Sequence, residues 1–414
     1  MNALRALEQD VLREGREYTR RLMERRLQEE IDRMGAVCPH SGLLLKEVSY
    51  RPLVLLSVVG ELRLKAAYGY STRQGTWLTP ARVAWGLAPG ERTSPELQAR
   101  IVETASACGS FEKAARTATL WGSPLSDDLV HAQVQKVGRR LVDHPATDPP
   151  LQAQQSPFSM VLMMDGWMVR ERGQDWGKKR RRPGQCRVKW HEVKSAVMFR
   201  LEDQASTGGG RGWLIEKHVV VREPETEPLV FGKAVQTEAI RRGLAKAEKV
   251  YLVMDGAAWL WCLRQDRFQD TTPLLDFHHA SQHLWALAHH CFGEKTDEQK
   301  AQARAWVEPL LHDLRHGKEK RVIHTLEQLL RTPEGRRKPV KTEVQYFKTH
   351  RDHLGYQTVA ERGAPIGSGA VESLCSQLQN RFKRTGQFWT RSGLRHLLAV
   401  EEAIRNRDFD PRCN

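Results

Sequence analysis

The clearest hydrophobic pattern lies between residues 363 and 389, in the segment GAPIGSGAVESLCSQLQNRFKRTGQFW. Two glycines bracket a serine and permit a tight backbone entry, after which apolar positions recur at helical spacing. These positions are Val371, Leu374, Leu378 and Phe382. Glu372 lies one residue off this stripe, near the N-terminal end, where the helix dipole favours a negative charge. The pattern predicts a helix that presents an acid at its start.

Upstream, from residue 158 to 294, the pattern changes to short apolar runs separated by polar turns. Strands are predicted at FSMVLMMDGWMV, WHEVKSAVMFRLED, WLIEKHVVVRE (213–223) and KVYLVMDGAAWLW, with a helix at PLVFGKAVQTEAIRRGLAKA and a strand running into a helix at TTPLLDFHHASQHLWALAHHCFG. Three hairpin-connected strands followed by a helix and further strands suit a ribonuclease H-like mixed α/β sheet. Residues 295–360 are polar and helical, and we interpret them as an insertion before the Glu372 helix.

The N-terminal third has different patterns. A charged helix is followed by a β-hairpin with its turn at Gly60, and then by three short helices with serine caps. Three helices with a short turn before the last resemble a helix-turn-helix, although any small helical bundle gives the same pattern. The predicted regions are an N-terminal helix (1–35), a β-hairpin region (36–94), a helix-turn-helix-like DNA-binding region (95–143), a proline-rich linker (144–157), a catalytic domain (158–294 and 361–407) and the helical insertion (295–360).

Charge and cysteine content restrict the class of protein. The net charge of +15 and the pI near 9.6 favour polyanionic partners, although a merely soluble basic protein would share them. Seven scattered cysteines without a CxxC pair argue against a disulfide framework and a zinc ribbon. The charged N-terminus has no signal-peptide pattern, and no run of eighteen apolar residues occurs. We therefore expect a soluble intracellular protein with no membrane segment.

Two apolar runs end in the same way, VLMMDGW with Asp165 and YLVMDGAAW with Asp255. An acid at the end of a buried strand is costly unless a metal ion or hydrogen bonds compensate it. Two such acids on neighbouring strands repel each other, and a divalent cation relieves the repulsion. Asp-Gly is also a common turn pair, but two copies together with the Glu372 helix favour a site for two Mg²⁺ ions.

These segments, with DFHHASQHLW at 276–285 and GSGAVES followed by NRFKRTGQFW, resemble a bacterial insertion-sequence DDE transposase. The nearest match is the ISKra-type family, which is related to the Mutator-like transposases. The resemblance covers residues 158–407 with four ordered motifs, and the N-terminal third more loosely. It implies a ribonuclease H-like core in which Asp165, Asp255 and Glu372 are the catalytic and metal-binding acids.

The resemblance also implies a reaction and partners. Two Mg²⁺ ions, with Mn²⁺ as a substitute, would support cleavage of double-stranded DNA at terminal inverted repeats and 3′-OH strand transfer into target DNA. A homo-oligomer on paired DNA ends in the bacterial cytoplasm, at the nucleoid, is expected. Two alternatives stay open: a ribonuclease H-like nuclease that only hydrolyses DNA, and an inactive DNA-binding descendant.

Further residues receive supporting roles. The family's Asp-x-x-His element falls on Asp276 and His279, which would brace the site or position DNA. Aromatic and basic residues near the site are expected to contact DNA, namely Trp259, Lys383, Arg384 and Trp389. Weaker DNA-binding candidates are Lys136, Arg139 and Arg140 in the last N-terminal helix and Lys178, Lys179, Arg180, Arg181 and Arg182 between the first two strands.

One departure from the family concerns its paired N-terminal CxxC motifs. CPHSG retains only Cys38, and the later pair would fall near YGYSTRQG, which contains no cysteine. A tetrahedral zinc site needs four ligands, so this position is degenerate as a zinc ribbon.

Overall fold

The computed structural model describes residues 3–145, 157–180, 182–206 and 212–409. Most of the predicted linker (144–157) and Arg181 lie outside the described residues. The chain divides into two units, Met1–Asp143 with Arg407–Asn414, and His144–Asn406. Within the described residues, no helix is both long and apolar enough to cross a membrane.

The smaller unit begins with one long helix and a three-stranded antiparallel sheet in the order β1-β2-β3. Its elements are α1 (Ala3–Met34), β1 (Lys46–Ser57), β2 (Gly60–Ser71), β3 (Thr76–Leu78), α2 (Pro80–Ala84), α3 (Pro95–Cys108), α4 (Phe111–Leu120) and α5 (Asp127–Asp143). Ser57 pairs with Gly60, whose positive φ of 112° makes the tight turn that the sequence predicts. In the N-terminal half of α1, Leu4, Leu7 and Val11 are exposed.

The segment around Cys38 forms a hydrogen-bonded corner. Cys38 is fully buried, and its Sγ lies 3.8 Å from Ser71 Oγ and 3.9 Å from Gln74 Oε1. A side-chain hydrogen bond from Ser41 lowers the pKa of the Cys38 thiol, against the effect of burial. Cys38 also packs with Leu45 and Leu78 in a small buried cluster, so the thiol lies between apolar side chains and its polar partners.

Helices α3, α4 and α5 form the predicted trio. Ser94 and Ser110 cap α3 and α4 by accepting hydrogen bonds from Leu97 N and Lys113 N. On α5, Val130, Val134 and Val137 face inward, and Gln133 is buried with them. Gln133 bonds Gln98 at 2.6 Å and Thr93 at 3.0 Å, which makes a buried amide network between the helices.

The larger unit contains a five-stranded mixed sheet surrounded by helices. Its elements are β4 (Ser159–Arg172), β5 (Val188–Arg200), β6 (Gln204–Ser206), β7 (Gly212–Leu214), β8 (His218–Arg222), α6 (Pro228–Arg241), β9 (Lys249–Met254), α7 (Ala258–Arg267), β10 (Thr272–Leu275), α8 (Phe277–Phe292), α9 (Asp297–Arg315), α10 (Glu319–Leu329), α11 (Lys338–Thr349), α12 (Tyr356–Ala360), α13 (Gly369–Phe382) and α14 (Arg391–Arg405).

The strand order in this sheet is β10-β9-β4-β5-β8. Strands β4, β5 and β8 pair antiparallel, whereas β9 is parallel to β4 and β10 is parallel to β9. The strand predicted over 213–223 is divided. Its first part is β7, which pairs with β6 in a separate two-stranded sheet, and its second part is β8.

Alternate residues of β4 face two layers of helices. Met160, Leu162 and Met164 pack with α6 and α7 in one buried cluster. The opposite set includes Trp167, whose ring lies 5.9 Å from that of Phe382 on α13. All four stripe residues of α13 are fully buried, which confirms the predicted inward face. Asp165 shares the register parity of Trp167, and this directs it toward α13.

Candidate active site

Three aspartates lie at the same level of three neighbouring strands. Met164 on β4 pairs with Met254 on β9, and Met254 pairs with Leu275 on β10. Asp165, Asp255 and Asp276 are the next residues along each of these strands. Because the three strands are parallel to one another in this part of the sheet, the aspartates share its carboxyl edge.

Asp165 is a partly buried acid with two donors. Burial raises its pKa first, and the negative charge of nearby Asp255 raises it further. Gly166 N donates to Asp165 Oδ1 at 2.6 Å, and the thiol of Cys375 on α13 also hydrogen-bonds the carboxylate. Asp165 thus connects the sheet to the first half of α13.

The Asp-Gly pairs are not positive-φ turns. Asp165 and Gly166 lie inside the long strand β4, and neither Gly166 nor Gly256 has a positive φ. Gly256 instead provides space, because a Cβ there would lie 2.2 Å from Cε2 of Tyr346. Asp255 Oδ1 accepts a hydrogen bond from Ala257 N at 2.7 Å. Tyr346 on α11 therefore brings the helical segment 295–360 directly against the second acid.

Glu372 lies in the first turn of α13. Ser368 Oγ donates to Glu372 Oε1 at 2.7 Å, and the backbone N–H of Ser368 donates to Asp276 Oδ2. Phe277 N also bonds Ile366 O at 3.0 Å. The entry to α13 is consequently fixed to the end of β10, and Glu372 is held toward the aspartates.

Asp276 is fully buried and caps α8. Burial alone would raise its pKa, but hydrogen bonds from His279 and Ser368 outweigh it and hold the pKa well below the usual range. The imidazole Nδ1 of His279 lies 3.3 Å from Asp276 Oδ1. That contact raises the pKa of His279 although burial opposes it, and the charges of Asp255 and Glu372 raise it further. His279 therefore lies among the acids.

The arrangement can hold divalent cations. Potential ligand atoms of Asp276, His279 and Glu372 all lie within 4.8 Å of one another. A bound cation would also relieve the electrostatic repulsion between the carboxylates of Asp165 and Asp255. Carboxylate oxygens are the ligands that Mg²⁺ and Mn²⁺ prefer. The donor set therefore fits hard divalent ions.

Four predicted neighbours of the site have structural contacts. Trp259 packs on the core cluster, with its ring 5.9 Å from Phe231. The indole of Trp389 donates to Phe382 O at 2.8 Å, and its backbone pairs with Arg170 and Arg172 of β4. The Nζ of Lys383 lies over the ring of exposed Trp190, at 5.1 Å. Arg384 is exposed, and its Nε bonds Asn380 O.

The basic loop between β4 and β5 is organised by one buried acid. Asp175 is fully buried and accepts from Arg182 N at 2.6 Å, Arg182 Nε at 2.9 Å and Lys178 Nζ at 3.1 Å. These bonds, led by the Arg182 backbone, lower the pKa of Asp175 to about 2. Lys179 and Arg180 are exposed in the same loop. Trp176 packs on Phe388, 4.7 Å between rings, so the loop contacts the segment after α13.

In the smaller unit the candidate DNA-binding residues differ from one another. Arg139 is exposed and Arg140 is half-buried. Lys136 forms an ion pair with Glu91, and burial lowers its pKa.

Three residues near the acids were not singled out by the sequence: Ser368, Cys375 and Tyr346. Ser368 was visible only as part of the glycine-bracketed entry to α13. Cys375 follows Glu372 by three residues, which places both on one face of a helix, so spacing could have identified it. Tyr346 is distant in the sequence, and nothing in its surroundings signals the contact with Gly256.

No family model and no curated protein matches this chain. Among solved structures, the chain is similar to one titled "Drosophila P element transposase strand transfer complex", at 12% sequence identity and a TM-score of 0.38. The match covers 80% of this chain and 96% of that chain.

Proposed function

We propose that this protein is a DDE transposase that cleaves DNA at element ends and joins the freed 3′-OH to target DNA. The observation that carries the proposal is the group of acids around His279. Asp165, Asp255 and Asp276 lie level on three neighbouring strands, and potential ligand atoms of Asp276, His279 and Glu372 lie within 4.8 Å of one another. Acids from three neighbouring strands and a helix start thus meet at one edge of the sheet.

The strand order supports the proposal. β4, β5 and β8 are antiparallel neighbours, and β9 and β10 lie on the other side of β4 and run parallel to it. This is the strand order expected of a ribonuclease H-like core. The sequence resemblance assigns the catalytic acids to Asp165, Asp255 and Glu372. The net charge of +15 and the exposed lysine and arginine residues of the β4–β5 loop favour a DNA partner.

Asp165, Asp255 and Glu372 would hold two Mg²⁺ ions. When bound, such ions lower the pKa of water and stabilise the charge that develops on the phosphate oxygens. The protein's own residues set the positions of the ligands. Ser368 directs Glu372, and Asp276 holds Ser368 through its backbone N–H. We assign Asp276 and His279 to positioning the acids, although their ligand atoms also lie within reach of one ion.

The chemistry comprises two in-line displacements. In the first, water attacks phosphorus, the bond to the 3′ oxygen breaks, and the products are a 3′-OH and a 5′-phosphate. In the second, that 3′-OH loses its proton and attacks a phosphodiester of target DNA. The displaced 3′ oxygen of the target takes up a proton.

The test uses purified full-length protein, Mn²⁺ and a duplex carrying the genomic sequence that flanks the reading frame. Asp165→Asn, Asp255→Asn and Glu372→Gln should each reduce strand nicking more than about 100-fold, because each removes a charged ligand. Asp266→Asn is the matched control, since Asp266 is an exposed acid on α7. Mn²⁺ binding, followed by electron paramagnetic resonance, should fall in the three variants and not in the control.

The products then distinguish the alternatives. Joined DNA molecules together with nicks would support strand transfer. Nicks without joined molecules would leave only a ribonuclease H-like nuclease, and unchanged cellular activity of Asp165→Asn would indicate a non-catalytic DNA-binding protein.

A further inference from the structure

Beside the first acid lies a small set of buried polar side chains that the proposed chemistry does not use. Ser195 on β5 pairs in register with Asp165 on β4, and it is completely buried. Cys375 on α13 is only 4% exposed. Trp167, two residues after Asp165 and on the same face of β4, is also buried. A buried polar group needs a partner inside the protein, so each hydrogen bond here can be followed to the next.

These side chains form one hydrogen-bond relay that ends on the carboxylate. The indole Nε1 of Trp167 donates to Ser195 Oγ at 3.1 Å. The side chains of Ser195 and Cys375 hydrogen-bond each other, and the thiol of Cys375 hydrogen-bonds Asp165. The relay therefore runs through β4, β5 and α13 in the order Trp167, Ser195, Cys375 and Asp165.

The direction of the relay is fixed at its start. An indole N–H can only donate, so Ser195 Oγ accepts from Trp167 and keeps its own proton for the thiol. The Cys375 sulfur then accepts from Ser195, which leaves the thiol proton for the carboxylate. An ionised carboxylate only accepts hydrogen bonds, so it closes the relay. Each of the three donors therefore points along the relay toward Asp165.

Both ends of the relay are held in place. The ring of Trp167 lies 5.9 Å from that of Phe382 on the α13 stripe. At the other end, Gly166 N donates to Asp165 Oδ1 at 2.6 Å. Buried polar networks whose members are all satisfied restrict the rotation of their side chains. We therefore expect Asp165 to keep one orientation before any cation binds.

Helix α13 carries the last donor of the relay as well as the third acid. Cys375 follows Glu372 by three residues, so both lie on one face of the helix. The same helix thus presents Glu372 to the site and holds the carboxylate of Asp165 on β4.

We propose that Cys375 and Ser195 are positioning residues, which orient the carboxylate of Asp165 for a divalent cation. The inference rests on the proposed function, because it takes Asp165 to be a metal ligand. Groups that hydrogen-bond a metal ligand orient it, and their loss lowers metal affinity roughly 10–100-fold. A thiol that only filled space would have no such effect, since a buried cysteine can also serve as a small apolar side chain.

The test measures Mn²⁺ binding to the full-length protein without DNA, by electron paramagnetic resonance. Cys375→Ala should weaken binding about tenfold, because Asp165 loses its donor from α13. Cys375→Ser should keep most of the affinity, since a hydroxyl also donates. Leu378→Ala is the matched control, because it truncates a buried side chain of the same helix that lies outside the relay. It should destabilise the fold and leave the Mn²⁺ affinity unchanged.

Two results of this comparison would contradict the positioning role. One is equal Mn²⁺ affinity of Cys375→Ala and wild type. The other is an equal loss of affinity in Cys375→Ala and Leu378→Ala, because packing alone would then explain the effect.

A double-mutant cycle tests whether Ser195 acts through Cys375. Ser195→Ala should weaken Mn²⁺ binding by itself, but it should add nothing to Cys375→Ala, because the relay is then already broken. Losses that add up in the double variant would mean that the two residues act independently, and this would overturn the relay.

A second measurement needs neither a metal ion nor activity. The S–H stretching band of Cys375 in the infrared spectrum is assigned by its loss in Cys375→Ser. A hydrogen bond to a charged acceptor is stronger than one to a neutral acceptor, so the band should move to higher frequency in Asp165→Asn. A band that stays in place would show that the thiol does not donate to Asp165, and the inference would be wrong.

Failure of the inference differs from failure of the proposed function. If Asp165→Asn lowers Mn²⁺ affinity and strand nicking while Cys375→Ala lowers neither, only the inference is overturned. If Asp165→Asn changes neither, Asp165 is not a metal ligand and both are overturned.

Discussion

Asp276 is fully buried and yet ionised, because hydrogen-bond donors reach both oxygens of its carboxylate. His279 N donates at 2.7 Å, Ser368 N donates to the other oxygen, and the imidazole of His279 is adjacent. The residue joins a helix cap on α8 to the entry of α13. Its contribution to stability is therefore linked to its contribution to the geometry of the site.

Replacement of Asp276 should separate these contributions. Asp276→Ala removes a helix cap and leaves two buried N–H groups without acceptors, which should lower the free energy of unfolding by about 3 kcal/mol. Asp276→Asn keeps one acceptor oxygen and should cost about half as much. Urea denaturation measures both values. Equal stability of Asp276→Ala and wild type would contradict the buried contacts.

Asp276 also predicts a dependence on pH. Its folded pKa is depressed, so its charge stabilises the protein above the unfolded carboxyl pKa near 3.9 and this stability is lost as pH falls below that value. Wild type should therefore lose stability more steeply than Asp276→Asn between about pH 4 and pH 2. Urea midpoints at several pH values measure the difference. If the urea midpoints of wild type and Asp276→Asn changed with pH in parallel, the pKa of the Asp276 carboxyl would not be depressed in the folded protein.

At the scale of elements, the sequence predicted most of what positions the acids. The α13 stripe, the apolar runs before Asp165 and Asp255, and the strand-to-helix passage at Asp276 all follow from local periodicity, although β4 continues past Asp165 to Arg172. The division of 213–223 into β7 and β8 did not follow, because both pieces are apolar and only pairing separates them. The burial of Gln133 did not follow either, because polarity alone cannot show a buried amide network.

The buried apolar stripe of α13 anchors the helix that carries Glu372. Truncating one side chain of this stripe should therefore lower the stability of the fold. Leu378→Ala removes a fully buried side chain and should cost about 3 kcal/mol, within the usual 2–5 kcal/mol range for such changes. Ser376→Ala, at an exposed position of the same helix, is the control and should cost less than about 0.5 kcal/mol. Thermal denaturation followed by circular dichroism distinguishes them. Similar melting temperatures for the two variants would contradict burial of the stripe.

The β4–β5 loop is predicted to be ordered by Asp175. Asp175→Ala removes the acceptor shared by Lys178 and Arg182, so the loop should open to trypsin several-fold faster at its basic residues. Mass spectrometry of the first fragments locates the cut. Asp270→Ala, at an exposed acid after α7, should leave the cleavage rate unchanged. An unchanged rate in Asp175→Ala would mean that the loop is held by other contacts.

At the scale of the whole molecule, the positive charge predicts how binding responds to salt. A protein that contacts six to ten phosphates loses roughly 10³–10⁵-fold in affinity between 50 and 200 mM salt. With a net charge of +15, we expect a loss of at least about 10³-fold for paired duplex DNA. Fluorescence anisotropy over a salt series measures the slope. A slope near zero would exclude phosphate neutralisation as the source of binding.

The contact between Gly256 and Tyr346 lay beyond what the sequence could predict. It joins the turn before α7 to α11, and the intervening segments have no pattern that specifies this pairing. Periodicity describes which face of an element is buried, whereas the neighbour that buries it depends on the complete chain. The acids were recognisable because each stands beside its own apolar run.

The link between Ser368 and Asp276 has a consequence for the timing of synthesis. Translation proceeds from the N-terminus at roughly 5–20 residues per second, so Asp165, Asp255 and Asp276 leave the ribosome well before α13 is made. Until Ser368 arrives, Asp276 lacks one of its donors and Glu372 is absent from the centre. Under the proposed chemistry, a nascent chain that has not yet reached Glu372 cannot cut DNA. Glu372, the last of the three proposed catalytic acids along the chain, thus completes the active site only when synthesis is nearly finished.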